Sequence, residues 1–416
     1  MRSWISSHRS LAATVTSSAL VAALVATLAL VSTGYTAQRM DLTDPSVWVL
    51  GGEHQAIGRA NTQVFELDSV VEVEADDPRI VQSGTTVLLV DQASATVRDI
   101  DPATAVLGDD IALPPQRPEL LLAGDRVAIV AQATGEVWLL PLADLGSFDA
   151  ASPATLSLGE NAVVTTTETG ALLAYLPEVS QVWQVEPDAV EVGQRWDVAW
   201  GADAAVTDAV QLTAVGERWA VLDTATRELA TASGVRPLTE ALGGTGVRLQ
   251  KPGPANARVL IAHSGGLIGA DMMGGAPVAF VDDAAGIAAA PVVVGGCRYA
   301  AWSSGVGWRG CGSDAPERLA LAQMPSNPTL RFATNGGHVA LNDVAGGSSW
   351  AVQADGELID NWDDLITDDD LQTEQPEADD ETPPEFEELQ KPPVAVDDTF
   401  GARPGRATVL PVLLND

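Results

Sequence analysis

Short apolar runs recur along most of the chain. They begin at Val47, Val87, Val127, Leu172, Trp219, Val259, Tyr299 and Val339, at spacings of 40, 40, 45, 47, 40, 40 and 40 residues. The second and third read VLLVDQASATVRDI and VAIVAQATGEVWLL: an apolar strand, a polar turn, then another strand. Ten positions after the start, five units carry an apolar residue: Ile57, Val97, Val137, Val182 and Leu229. Three positions before the start, most units carry a turn residue: Asp44, Gly84, Gly124, Gly216, Asn256, Gly296 or Gly336. Glycine and asparagine accept a positive φ, so one backbone bend is expected to recur there. The unit at Leu172 departs from the rule, with Thr169 at that place and Gly170 beside it.

A further apolar run precedes the bend, as in ELLLAG and PVVVGG, and a fourth follows the second strand, as in ATLSL and RLALA. Four short strands in about 40 residues is the period of a β-propeller blade. A β-sandwich shows turns every 8–12 residues but no 40-residue register, and the apolar positions lack the 3.6-residue period of a helical repeat. The pattern therefore predicts an all-β fold, a seven- or eight-bladed β-propeller over residues 40–354.

The flanks differ from the repeat. Residues 1–10 carry Arg2, His8 and Arg9, and residues 11–35 are uncharged and largely apolar. About 20 apolar residues span a bilayer, and a cleaved signal peptide has a shorter apolar core followed by a small-x-small site. The length of the run and Tyr35 favour an uncleaved transmembrane helix over a cleaved signal. The flanking charges place the N-terminus in the cytoplasm and the bulk of the chain outside the cell. From Asp355 to Gln390 the chain holds sixteen acidic residues and no Lys or Arg, with Pro376, Pro383 and Pro384. Residues 355–392 therefore read as an extended, disordered acidic linker. Residues 393–416 begin two strands of a sandwich domain that needs about 100 residues, so the chain stops inside a domain.

That last segment, PPVAVDD followed by PVLLND, resembles the start of the cadherin-like or immunoglobulin-like (fibronectin type III-type) tandem repeats of large membrane-anchored surface proteins of high-GC Gram-positive bacteria. The order of anchor, ring and linker agrees with the resemblance. It implies a stalk or adhesive role at the cell envelope, with an envelope polymer or a surface protein as partner. It also implies Ca²⁺ between sandwich modules, for which Asp397, Asp398 and Asp416 are the first candidates; the rest of such a site lies beyond the chain.

The charge narrows the function. With 22 basic and 57 acidic residues the chain carries −35, which argues against nucleic acid and against charge-driven binding to anionic lipid. Only Lys251 and Lys391 are lysines. Four histidines and two cysteines leave little material for a metal or histidine-based site, and no catalytic, cofactor or metal residues are assigned. His263-Ser264-Gly265-Gly266 reads as a hairpin turn, because adjacent strand residues point to opposite faces. No nucleophile elbow, zinc or phosphate-loop motif occurs. Trp138, Trp183, Trp302, Trp308 and Trp350 read as blade-to-blade packing, with a ligand cage as the alternative. Arg126, Arg218, Arg258, Arg298 and His338, one before each run, read as strand caps, with an anion-binding ring as the alternative.

Cys297 and Cys311 flank a segment that folds symmetrically about Ser304. Such a hairpin sets them directly opposite, about 4.5 Å apart at Cα, and outside the cell they are expected to be joined as a disulfide. The function predicted is a non-catalytic extracellular scaffold or adhesion protein. A cell-envelope enzyme acting on carbohydrate is the alternative, and two close carboxylates of raised pKa in a central pocket would mark it.

Overall fold

A strand that is apolar at every position must be covered on both faces, and each of the eight runs is. The computed structural model describes residues 46–366 except 116, 187–191 and 202–208, and there every run is a strand of a different antiparallel sheet. The sheets span 46–72, 78–112, 118–157, 163–197, 210–237, 248–281, 292–320 and 330–359, and are blades 1 to 8 of an eight-bladed β-propeller. In blade 3 the run Arg126–Ala131 lies between Pro118–Ala123 and Glu136–Pro141. Its side chains alternate: Val127, Ile129 and Ala131 pack toward blade 2, and Ala128 and Val130 toward blade 4. The core is accordingly eight apolar clusters, one at each blade-to-blade interface, including that between blades 8 and 1. Ile57, Val97, Val137, Val182 and Leu229 are each 0% exposed.

The bends follow the sequence pattern. Gly84, Gly124, Gly216, Gly296 and Gly336 all have positive φ. In blade 4 the role falls to Gly170, at φ +88°, where a Cβ would stand 2.8 Å from the carbonyl carbon of Ala123 in blade 3.

The first strands of blades 2 to 6 and 8 face the axis, and those of blades 8 and 2 touch one another directly. Blade 1 is the reason. Among the described residues it has three strands and begins with the run Ser46–Gly51, so the inner edge of that run has no strand beside it. An open edge leaves backbone donors and acceptors unpaired. Here side-chain amides from the flanking blades pair them. Trp48 N–H donates to Gln82 Oε1 (2.9 Å) and Gln82 Nε2 donates to Trp48 O (3.0 Å). Leu50 N–H donates to Asn342 Oδ1 (3.1 Å) and Asn342 Nδ2 donates to Leu50 O (2.9 Å). Gly52 N–H donates to Val344 O. On the outer edge, Asn361 makes the same two-way clamp with Leu67. The ring thus closes through side chains, with no blade built from both ends of the described chain.

Blade 8 extends past the expected boundary at 354. Glu357–Ile359 is its outer strand, and Trp362, 1% exposed, lies on the faces of Gly51 and Gly58 with its indole N–H bonded to Gly347 O (3.2 Å). The acidic composition of 355–366 concealed this strand, because its outward residues are charged while Ile359 and Trp362 point inward. The ring ends at Ile366. The expected helix at 11–35, the remainder of the acidic linker, and the sandwich strands at 393–416 with Asp397, Asp398 and Asp416 lie outside the described residues. Among the described residues no helix is long and apolar enough to cross a membrane.

Cys297 and Cys311 are bonded and pair directly across the hairpin of Cys297–Trp302 with Val306–Cys311, as the symmetry about Ser304 requires. Replacing both with Ser is expected to lower stability by up to ~3 kcal/mol, as a fall in Tm of a few degrees. Peptide mapping without reductant checks the bond itself. Asn342→Leu keeps the volume but orphans both polar groups of Leu50; it is expected to cost about 2–4 kcal/mol in denaturant unfolding.

Candidate functional site

The antiparallel register brings one position of six of the seven inner strands, all but that of blade 7, to the same height on the axis. It is the residue opposite the last-but-one residue of the run. Arg79 faces Val90, Glu119 faces Val130, Val163 faces Tyr175, Gln211 faces Leu222, Arg248 faces Ala262, and Arg331 faces Asn342. Three of these six residues are arginines, in a chain where acids outnumber bases 57 to 22. They form a charged mouth at the end of the channel where the inner strands begin.

Lys251 joins them through a local irregularity. In blade 6 the inner strand is only Arg248–Leu249, and Lys251-Pro252-Gly253-Pro254 then leaves the sheet. Two prolines remove two donors from that loop. The other two N–H groups reach different neighbours, Lys251 to Pro291 O (2.8 Å) in the turn into blade 7 and Gly253 to Ala214 O (3.1 Å) in blade 5. The loop is therefore fixed between three blades. From it the Lys251 ammonium reaches past blade 7 to donate to Phe332 O (2.7 Å), beside Arg331 in blade 8.

The charges at the mouth act on one another. Burial first, and then Arg331, lower the Lys251 pKa to about 8. Lys251 is half-buried, and the protein atoms packed around its ammonium govern its charge. Burial, then Arg79, hold Arg331 below its ordinary value; Asp77 opposes and Arg248 adds to the shift. Burial holds the Glu119 carboxyl above the usual carboxylate range, against the opposing pull of Gln132 and Arg79. Gln132 Nε2 donates to Glu119 at 2.7 Å. Arg79, Arg248 and Arg331 are exposed to the channel and have no hydrogen-bond or ion-pair partner among the described residues. Several other arginines are engaged: Arg59 with Asp68 (2.6 Å), Arg309 with Glu317, and Arg218 with the carbonyl of Asn256.

The residues singled out in the sequence lie elsewhere and hold blades together. Trp302 bonds His263 O (2.9 Å) from blade 7 to blade 6, Trp350 bonds Ala322 O (2.9 Å), and Trp138 and Trp308 are buried. Trp183 lies under the guanidinium of Arg195 (4.4 Å), and it lines a shallow surface cleft with Glu160 and Glu178. Arg298 stacks on Phe280 (4.8 Å), and the charge of Arg258 faces Asp271. His263 and Gly266 close a hairpin on Ser264-Gly265. Among the described residues no group of three metal-ligating side chains converges. The two carboxyls with raised pKa, Glu119 and Asp360, belong to blade 3 and to the segment after blade 8. The mouth escaped sequence reading, although a signal was there: Arg79, Glu119, Gln211, Lys251 and Arg331 all stand eight positions before a run.

With two lysines in the chain, biosynthetic labelling of lysine side chains gives two ammonium-bearing signals in NMR. One is expected to titrate near about 8 and to move upward in Arg331→Gln; a midpoint near 10.5 would contradict the enclosure. The folded-state value lies below the ordinary one, so between those two pH values the unfolded chain binds more protons and this group makes stability rise with pH.

No known sequence family matches the chain, and no curated protein does. Solved structures do match. The dihydro-heme d1 dehydrogenase NirN in complex with DHE superposes with a TM-score of 0.50 at 17% identity, over 77% of this chain and 72% of that one. BamB from Moraxella catarrhalis gives 0.46 at 11%, over 73% and 93%. A streptogramin B lyase gives 0.43 at 10%, over 67% and 91%. At these identities the likeness is one of fold: the chain is similar to β-propellers of unlike activity.

Proposed function

We propose that this chain is a membrane-anchored scaffold of the bacterial cell envelope whose extracellular propeller binds a partner without catalysis. The channel mouth is its ligand-facing surface. One observation carries the reading: charged side chains from four blades converge there, and three guanidiniums are unpartnered among the described residues. The apolar run at 11–35 supports anchoring, and the Cys297–Cys311 bond supports exposure to an oxidising compartment. The acidic segment beyond the ring supports a spacer that holds the propeller away from whatever follows. The partner class that fits is an envelope polymer or a surface protein. A carbohydrate-cleaving enzyme needs two acids within about 5–9 Å. Glu119 and Asp360 are instead tied to separate neighbours, Gln132 and Ser348.

Expression of the full chain in a Gram-positive host tests this reading. The protein is expected in the membrane fraction, with the ring released by protease added to intact cells, and with no reducing ends liberated from envelope polysaccharide. A cytosolic protein with free thiols would overturn the location. Release of reducing ends, lost in Glu119→Gln, would overturn the non-catalytic reading.

A further inference from the structure

We infer that the channel mouth is a binding site for a phosphate group, held between Arg79, Arg248, Lys251 and Arg331. The inference rests on the mouth being the ligand-facing surface and adds the chemistry of what it takes.

Charge at the mouth is unbalanced: four cations stand against Asp77 and Glu119, an excess that a dianion neutralises. The donors are also open. Each guanidinium presents five N–H groups in a planar fork that matches an oxyanion. At Arg79, Arg248 and Arg331 no described residue uses them, in a protein with acids to spare for its other arginines. Like charges enclosed together destabilise one another. Their retention in one register position of the ring is a cost that a bound anion removes, as binding sites commonly show.

The shape of the ring brings the arginines together. Blade 1 has no inner strand among the described residues, and its second-strand edge is closed by Gln82 and Asn342. Asn342 is the residue opposite Arg331, and Gln82 lies on the strand of Arg79. The clamps therefore hold the two arginines on adjacent inner strands, since blades 8 and 2 meet where blade 1 contributes none. Lys251 comes from blade 6, two blades along the ring, and is fixed by Phe332 O, so its charge is delivered beside Arg331. Its lowered pKa fits an ammonium awaiting a counter-ion. The overall charge of −35 repels anions at long range, so recognition depends on the short-range fork contacts, which favour a compact doubly charged group over a diffuse polyanion.

Inorganic phosphate, titrated into the full chain at ionic strength held constant with sodium chloride, tests the proposal. Phosphate is expected to raise Tm saturably, with a dissociation constant on the order of 1 mM or below, and to shift the Lys251 NMR signal but not that of Lys391. Arg79→Gln and Arg331→Gln remove groups that make no bond within the described ring, so both variants should fold with the disulfide intact. Their Tm without phosphate should be unchanged or higher, and their affinity about ten- to hundredfold weaker. Glycerol 3-phosphate separates two sources of the same chemistry. Equal affinity identifies the free ion, and tighter binding identifies a phosphomonoester on a larger molecule; either supports the site. Three results overturn it: no saturable response, a response that chloride reproduces, or an undiminished response in both variants. Any of these leaves membrane partition and protease release unchanged, so failure of the phosphate site is distinguishable from failure of the scaffold reading.

Discussion

The structure depends on how blade 1 is joined to its neighbours. In a ring of sheets every interface but one follows from chain connectivity, because each blade is tethered to the next by a short loop. The last interface must be made by contacts alone, between residues nearly 300 apart in sequence. Here the apolar cluster of Val49, Ala60, Ile359 and Trp362 supplies the burial, and burial is not directional. Direction comes from the side-chain amides. Asn342 and Gln82 each offer one donor and one acceptor, the same pair that a neighbouring strand would present. They therefore fix the height of Ser46–Gly51 relative to blades 8 and 2 as a ladder would. Displacement by one residue would break all four bonds.

That height also sets the channel. Arg331 lies opposite Asn342 and Arg79 shares a strand with Gln82, so the residues that close the ring also position the cations at its mouth. A single constraint links closure to the candidate site. On the blade surfaces several guanidiniums are spent on carboxylates, carbonyls and aromatic rings. At the mouth they are held in place by backbone register and left open.

What was legible in the sequence was whatever repeats with the blade. The eight runs were visible because a strand covered on both faces lacks the polar alternation of a half-exposed one, and the 40-residue register identified the class of fold. The disulfide was legible because hairpin symmetry about Ser304 is local geometry. The apolar pattern is compatible with seven or eight blades, since it does not reveal whether the two ends share one; Asn342, Asn361 and Gln82 decide that, and a lone amide carries no periodic signal. The outer strand at Glu357–Ile359 was hidden inside an acidic stretch, where exposed strand residues and a solvated linker have the same composition. The mouth has no local signature, because its residues are equivalent positions in the repeat and not neighbours in sequence. Lys251 also departs from the paired register because of the Pro252-Gly253-Pro254 loop.

The account stands on the claim that side-chain amides close the ring as firmly as a strand would. Native-state hydrogen exchange at the amides of Trp48, Leu50 and Gly52 tests it most directly. If Gln82, Asn342 and Val344 O hold these three groups, they exchange only when the whole ring unfolds, at rates matching the central strands of blades 4 and 5. Exchange at the rate of an open edge strand, while those central strands stay protected, would contradict it.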